Sequence, residues 1–470
     1  MLNLRSSTVC FRALAFLAAA LLFVVPVFVV PARGQDLSEA ARWLQGYLRL
    51  DTTNPPGNEF LAAGYLAGIL HREGIASRLL VTPEGRTSLY ARLPATVPAA
   101  ERRPAVLLMH HMDVVPAGEG WSFEPFSGRL RDGYLEGRGA VDVKSLGIAH
   151  LAALVELVRE GVERDRDVIF LGVADEENGG GRGTAWLLEH RPELFEQVGL
   201  VLNEGGANRH VNGRLLWWGV EVAQKRPLWL RITARGRAGH ASGYHPRSAA
   251  HRLIRGLDRL LALPTEFRVT EGVRIYLRAL APLHQPPYSD RFANIDRVIG
   301  PDGPKESLYP GMAGMFLDTV QVTVLEGSER INSIPATASA DVDVRLLPDT
   351  DADAFLKKVR DALGDDLSVK VLVASPPAGP SPVDHELFAV LEERLGQVAP
   401  VVPVFISGFT DSRYFRQRGI PAYGFSPFAL EPQDLLGIHN VDERIRVDAF
   451  DLGVQRSNDV LRALVRRKSP

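Results

Sequence analysis

Six acidic residues and two histidines in this chain follow short apolar runs. Brought together, such side chains bind divalent cations and move protons. His111 and Asp113 come after the run 105–109, Ala-Val-Leu-Leu-Met. Asp142 closes the Gly-rich stretch Gly137-Arg-Gly-Ala-Val-Asp, just ahead of a helical pattern. Asp175, Glu176 and Glu177 follow an apolar run that ends near Ala174, Glu204 follows another that ends near Leu202, and His439 lies in Ile438-His-Asn-Val-Asp. Taken singly these are ordinary features: a lone Asp-Glu-Glu is usually a solvated loop and a lone His-x-Asp a surface pair. Their common position after successive expected strands argues for a site, because an open parallel sheet binds ligands beyond the carboxyl ends of its strands.

Imidazole and carboxylate together suit zinc, with manganese or cobalt as alternatives. Paired catalytic metals sit ~3.5–4 Å apart, and a single carboxylate has to bridge them. Asp142 is the expected bridge, with His111 and Glu204 on one cation and His439 and Glu177 on the other. Asp113, two residues from His111, suits an acceptor that fixes the imidazole tautomer. Glu176 points away from Glu177 if the strand extends that far, and suits a general base for water at the metals. His110 is read as a packing residue, because the two-residue spacing to Asp113 selects His111 as the ligand. Other chemistries find no support: there is no G-x-S-x-G, H-E-x-x-H or Walker A sequence. Gly179-Gly-Gly-Arg-Gly lacks the dinucleotide fingerprint and reads as a tight turn beneath the metal loop.

The elements that must position these residues are of two kinds. Continuous apolar runs at 105–109, 167–173, 199–202, 401–406 and 420–425 alternate with helical patterns at 143–159, 183–189 and 412–418. Such runs imply a mostly parallel sheet covered on both faces, an α/β domain split across the sequence. Helices are also expected at 36–50, with Asp36 and Glu39 forming a capping box, and at 59–73. The middle differs. Stretches 227–233, 320–325 and 338–346 alternate apolar and polar residues, with helical patterns at 248–263 and 352–363, so 225–375 is expected to be an inserted α+β domain between catalytic parts 35–224 and 376–470. The Pro- and Gly-rich stretch 271–314 has no clear periodicity.

Residues 1–34 read as a secretory signal: Arg5 and Arg12, an apolar run over 13–30, and small residues Ala32 and Gly34 at the cleavage site. Export to the periplasm or exterior is expected, with an uncleaved membrane anchor as the alternative. The one cysteine, Cys10, lies in this leader, which excludes a thiol nucleophile or a cysteine-ligated metal from the mature chain. A net charge of −2 over 470 residues, with no block of like charge, gives nucleic-acid binding no electrostatic support.

Nine stretches, in order, resemble the M20 family of metallopeptidases: Met109-His-His-Met-Asp-Val-Val-Pro, Gly137-Arg-Gly-Ala-Val-Asp-Val-Lys, Ala174-Asp-Glu-Glu, Asn203-Glu-Gly-Gly, Gly239-His-Ala-Ser, Asn332-Ser-Ile-Pro-Ala, Asp343-Val-Arg-Leu-Leu-Pro, Thr410-Asp-Ser-Arg-Tyr-Phe and His439-Asn-Val-Asp-Glu. Thr52-Thr-Asn-Pro-Pro-Gly-Asn resembles the carboxypeptidase S-like branch. The resemblance implies a zinc-peptidase-like catalytic domain with two zinc ions and an inserted lid that often dimerises. It implies metal ligands at His111, Asp142, Glu177, Glu204 and His439, and a catalytic pair at Asp113 and Glu176. It adds His240 on the lid as a group that reaches an active site, often the partner subunit's. It adds Asn332 and Arg345, with Arg413 as a weaker candidate, as ligands of a substrate carboxylate, which a guanidinium binds through two parallel bonds.

A Glu at position 204 goes, in that family, with carboxypeptidase or acylase activity. The expected reaction is cleavage of an amide next to a free carboxylate, in a small peptide or an N-acyl-amino acid, by hydroxide held between the metals. A dipeptidase, an aminopeptidase-like enzyme or a desuccinylase is the alternative, and a secreted metal-binding protein without turnover a remote one. His110 and Phe409 depart from the family pattern and bear on substrate preference.

Overall fold

Alternate residues of the central strands face two different cores. Val106, Leu108, Val168, Phe170, Leu200 and Leu202 join one apolar cluster. Their neighbours Leu107, Met109, Ile169, Leu171, Val173 and Val201 join another on the opposite face. Burial on both sides is why these strands are apolar without alternation. In the computed structural model, which describes residues 36–309 and 311–466, they form a nine-stranded mixed sheet. Its main path runs Ser77–Val81, Thr87–Leu93, Val168–Val173, Ala105–His111, Val198–Asn203, Ala422–Phe425, Arg214–Gln224 and Val401–Ile406. The four strands from Val168–Val173 to Ala422–Phe425 are parallel to one another. The expected leader lies outside the described residues. From Leu37 onward the chain forms one unit. No helix among the described residues is long and apolar enough to cross a membrane.

The helix Lys144–Arg159 lies under the sheet with nearly every residue buried, packed against Val447–Val465 and Glu39–Leu48. Helices Thr184–His190 and Ser412–Arg416 cover the other face through Leu187, Leu188 and Phe415. The first helix starts later than expected. Ser38, not Asp36, is its N-cap: its hydroxyl accepts from Ala41 N at 3.0 Å and donates to Asp451 at 2.6 Å.

A second sheet, in the order Thr319–Glu326, Thr337–Leu346, Arg226–Arg235, Leu367–Ala374, is antiparallel throughout. Leu228, Leu230, Ile232 and Ala234 bury one face beneath helices Ala249–Leu261 and Ala352–Leu363. This accounts for the alternating pattern. The insertion expected over 225–375 is not one block, however. The stretch that sequence periodicity left unassigned forms helices Glu271–Leu280, Tyr288–Ala293 and Ile295–Val298. Val273, Leu277 and Phe292 join the same cluster as Val220, Val402 and Phe405, so this segment belongs to the large sheet.

His110 fits the packing role expected of it. It is buried, its Nε2 is 3.3 Å from the Tyr47 hydroxyl, and its ring lies 5.4 Å from that of Phe170. It therefore bears on the core and not on substrate preference. Gly147, in the helix Lys144–Arg159, leaves no room for a methyl group: a Cβ there would sit 2.3 Å from the His110 ring. Gly64, in the helix Glu59–Arg72, is exposed and a Cβ there meets nothing within 4 Å. Alanine gains about 1 kcal/mol over glycine in a helix, whereas overpacking a core costs roughly 1–3 kcal/mol or more. Gly64→Ala is therefore expected to raise the urea midpoint and Gly147→Ala to lower it. Equal shifts of the two would contradict the packing described.

Candidate metal centre

Each expected ligand is delivered by a chain segment leaving the same edge of the large sheet. His111 ends the strand Ala105–His111 and is buried. Asp142 stands two residues before the helix Lys144–Arg159. Glu176 and Glu177 open a 3-10 turn, Glu176–Asn178, after the strand Val168–Val173. That turn needs glycine where the chain doubles back. Gly180 has φ +69°, and a Cβ on Gly183 would lie 1.7 Å from the Ala174 carbonyl oxygen. Glu204 follows Val198–Asn203, and His439 sits in a loop with φ 54°.

Asp142 stands between the two imidazoles. Its Oδ1 lies 3.2 Å from His111 Nε2 and its Oδ2 3.1 Å from His439 Nε2. Glu204 Oε2 is 3.6 Å from the same His111 nitrogen, and Glu177 Oε2 is 3.2 Å from His439 Nε2. The pairs are those expected, His111 with Glu204 and His439 with Glu177. Ligand atoms of His111, Glu176 and Glu204 lie within 4.8 Å of one another, as do those of His111, Asp142 and Glu177.

The acids and imidazoles gathered here strongly perturb one another. Burial pushes the Glu176 carboxyl well above its ordinary pKa, helped by the charges of Glu204 and Asp411. Burial likewise raises Glu177 to about 7. Burial alone would depress His111, but Glu204 and Asp142 outweigh it and hold its pKa well above normal. His439 is raised to about 10 by hydrogen bonds to Asp142 and Glu177. Burial would raise Asp142, yet the two imidazoles draw its pKa down. Glu176 Oε1 is buried with no hydrogen-bond partner. A cluster of carboxylates on two imidazoles, with an orphaned acid oxygen among them, fits a pair of divalent cations.

The supports were only partly foreseen. His111 Nδ1 lies 2.8 Å from the backbone carbonyl of Asp113, while the Asp113 carboxylate is 3.8 Å away. The carbonyl therefore sets the tautomer. The carboxylate does something else: it accepts from Glu176 N and Glu177 N, each at 3.2 Å, and from Asn54 Nδ2 at 2.7 Å, so it holds the metal loop. Asp175 is anchored by Arg86 Nη1 at 2.7 Å, and Arg86 also pairs with buried Glu59. Glu443 is fully buried and accepts from Gly139 N at 2.8 Å, Val141 N at 2.7 Å, Asp142 N at 3.0 Å and Arg138 Nη1 at 2.9 Å. Sequence reasoning passed over Glu443, Arg86 and Glu59. The one available signal was that Glu443 closes the stretch beginning at His439.

The expected substrate residues fall elsewhere. His240 and Asn332 meet on an exposed ribbon, Gly239–His240 paired with Ser333–Ile334, where Ala241 N donates to Asn332 O at 3.1 Å. Neither makes a hydrogen bond or ion pair with the ligand set. Arg345 is held by Asp343 at 2.7 and 2.8 Å and lies 4.5 Å from the Phe409 ring centre. Arg413 does not fit its expected role. It is buried, donating to Thr410 O and Gly179 O at 2.7 Å each and lying 4.7 Å from the Phe409 ring centre, so it braces the metal loop and presents no open fork.

The sequence profile described as Peptidase family M20/M25/M40 matches residues 107–463. Human aminoacylase-1 is 29% identical over 427 residues, covering 89% of this chain and 93% of its own. The human N-fatty-acyl-amino acid synthase/hydrolase PM20D1 is 29% identical over 370 residues, covering 74% of this chain and 72% of its own. Among solved structures, the M20 family metallo-carboxypeptidase Sso-CP2 from Sulfolobus solfataricus shares the fold, with TM-score 0.71 at 19% identity over 91% of this chain and 99% of its own.

Glu443→Ala is expected to leave three amide N–H groups unpartnered and to strip buried Arg138 of its only carboxylate partner among the described residues. Breaking a buried ion pair on one side costs ~3–5 kcal/mol, and losing a support of this kind weakens metal binding ~10–100-fold. Urea denaturation and a zinc titration of the variant check both. Wild-type zinc affinity in a folded Glu443→Ala protein would rule the brace out.

Proposed function

We propose, from the premise that this chain belongs to peptidase family M20/M25/M40, that it is an exported two-zinc hydrolase of N-acyl-amino acids. The chain is a hydrolase of amide bonds, as its family and its aminoacylase likeness establish. The finer reading rests on one observation: the two oxygens of Asp142 face different histidines, at 3.2 and 3.1 Å. Zinc suits this mixed set of imidazole and carboxylate, with manganese or cobalt as substitutes. Two relatives named for acylated amino acids favour an acyl-amino acid over a peptide.

Bound by His111, Asp142, Glu177, Glu204 and His439, the cations would supply Lewis acidity that brings a water pKa down to ~7 and polarises the scissile carbonyl. The chain supplies the proton traffic. Glu176 has an orphaned Oε1 and lies within 4.8 Å of His111 and Glu204 ligand atoms. A carboxyl with a raised pKa there takes a proton from the attacking water and gives it to the leaving nitrogen. Asp113 keeps Glu176 in place through its backbone N–H. The substrate carboxylate is assigned to Arg345 and Asn332. His240 is assigned to the carbonyl oxygen, from a second copy joined through the lid. The lid's edge strand Thr319–Glu326 has Leu325 68% exposed, which supports such pairing.

Glu176→Gln is expected to lower kcat about 10²–10⁴-fold while the protein keeps both metals, as activity assay and metal analysis would show. Chelation should abolish hydrolysis and added zinc restore it. Amidating the substrate's free carboxylate should abolish cleavage, and undiminished cleavage of the amide would replace this reading with an aminopeptidase-like one. Amino-terminal sequencing of protein recovered from a host envelope should begin at Gln35. Retention of residues 1–34 in a membrane fraction would favour the anchor.

A further inference from the structure

We propose that a second cavity, separate from the metal centre, is a binding site for a compact aromatic acid, a ring system that carries a carboxylate. The cavity has a volume of about 1150 Å³ and lies between the strand Arg214–Gln224 and the helix Glu271–Leu280. It meets the cavity at the metal centre only at Ala207 and Asn208, and none of the five expected metal ligands lines it. No Asp or Glu lines it either, whereas Arg209, Arg214 and His284 do. Its charge is therefore of one sign, opposite to that of the acid-rich metal centre.

The two guanidinium groups are uncommitted. Arg209 and Arg214 are exposed, and neither side chain makes a hydrogen bond or ion pair among the described residues. Arg209 stands directly opposite Trp217 on paired strands, and directly opposed residues share a face. Glu431, the acid beside this hairpin, is engaged elsewhere: it accepts from Gly213 N at 2.7 Å and lies 2.9 Å from His210 Nδ1. A carboxylate in the cavity thus meets two open forks, while an ammonium meets no counter-charge. This favours a simple acid over a zwitterionic amino acid.

The remaining wall selects for rings. The His284 ring centre lies 6.3 Å from that of Trp217, 5.1 Å from that of Phe292 and 5.7 Å from that of Tyr309. Tyr276 completes the wall on the helix side, where Arg209 acts on it: burial raises the Tyr276 pKa and the Arg209 charge offsets part of the rise. Ring faces and edges set out in this way attract a further ring by offset or edge-on contact, beyond what buried area alone gives. Trp217 also carries an unmet demand. Its Nε1 is buried with no hydrogen-bond partner, and an indole nitrogen can only donate. A buried donor left unsatisfied is costly, and an anionic oxygen held by Arg209 on the same face can accept from it. Pockets that hold small ligands span ~300–1,000 Å³, so this space takes two fused rings with ease.

The test is isothermal titration calorimetry of the zinc-loaded full protein with 2-naphthoate. The comparison compounds are 2-naphthamide, which lacks the charge, octanoate, which lacks the rings, and L-phenylalanine, which adds an ammonium. We expect 2-naphthoate to bind with a submillimolar Kd and each of the others about tenfold or more weakly. Arg209→Gln and Arg214→Gln should each weaken 2-naphthoate about tenfold, and the double variant should bind it still less. Both side chains are exposed and without partners, so the urea midpoint of the double variant should match the wild type. Trp217→Phe, which keeps a ring and loses the N–H, should weaken binding severalfold. A carboxylate that lands on the cations instead would bind the double variant as tightly as the wild type, and that result overturns the inference. So does equal binding of any comparison compound, or no binding of 2-naphthoate at all. None of these outcomes touches the hydrolase reading, which the activity assays decide separately.

Discussion

The arrangement around Asp142 depends on one carboxylate placed with its two oxygens turned to two imidazoles that are 328 residues apart in sequence (439 minus 111). A carboxylate shared in this way is costly to bury without positive charge beside it. Everything nearby lowers that cost or fixes the geometry. Glu443 takes the amide N–H groups of Val141 and Asp142 and so sets the turn that aims the bridge. It comes from the same stretch as His439, so one short segment supplies both a candidate ligand and the brace for the candidate ligand opposite. Arg138 neutralises Glu443 from the other side of that turn.

The metal loop is held by the same logic applied twice. Asp113 binds it from the His111 side through two backbone amides, and Asp175 binds it from below through Arg86 and the amide of Arg182. Arg86 also meets Glu59, which makes a buried cluster of one guanidinium and two carboxylates. Such clusters rarely add net stability over hydrocarbon. Here the cluster gives direction: it holds Asp175 at φ 71°, from which Glu176 and Glu177 face the site. A hydrophobic replacement could match its packing but could not aim the loop.

The convergence of His111, Asp142, Glu177, Glu204 and His439 and the parallel core were legible because both follow from periodic or compositional rules. Doubly buried strands read as unbroken apolar runs, and acids after such runs mark the sheet's ligand-binding edge. What was not legible depends on contacts between distant segments. Glu443 carries no local pattern, since its partners lie some 300 residues earlier. Arg413 belongs to a motif stretch, but its burial under Phe409 and against the Gly179 carbonyl is a tertiary fact. Ser38 displaced Asp36 as the helix cap because Asp451 on the last helix reaches its hydroxyl. The stretch 271–314 failed for a related reason. Its helices are short and packed against Ala223 and Phe405, so no long amphipathic repeat was required of them.

Phe409 shows how a single departure from a family pattern can be structural. Its ring centre lies 4.5 Å from Arg345 of the second sheet, 4.7 Å from Arg413 of the helix Ser412–Arg416, and 5.8 Å from Trp229 of the second sheet. Trp229 donates to Asp343, which also holds Arg345. Arg413 and Tyr414 in turn bind the Gly179 carbonyl in the metal loop, and a Cβ on Gly179 would meet Val373 of the second sheet at 3.0 Å. The second sheet thus packs close against the loop that carries Glu176 and Glu177, while Arg413 and Tyr414 bind its Gly179 carbonyl. A small residue at 409 would remove the aromatic ring that lies beside both guanidinium groups, and with it the attraction each makes to the π face.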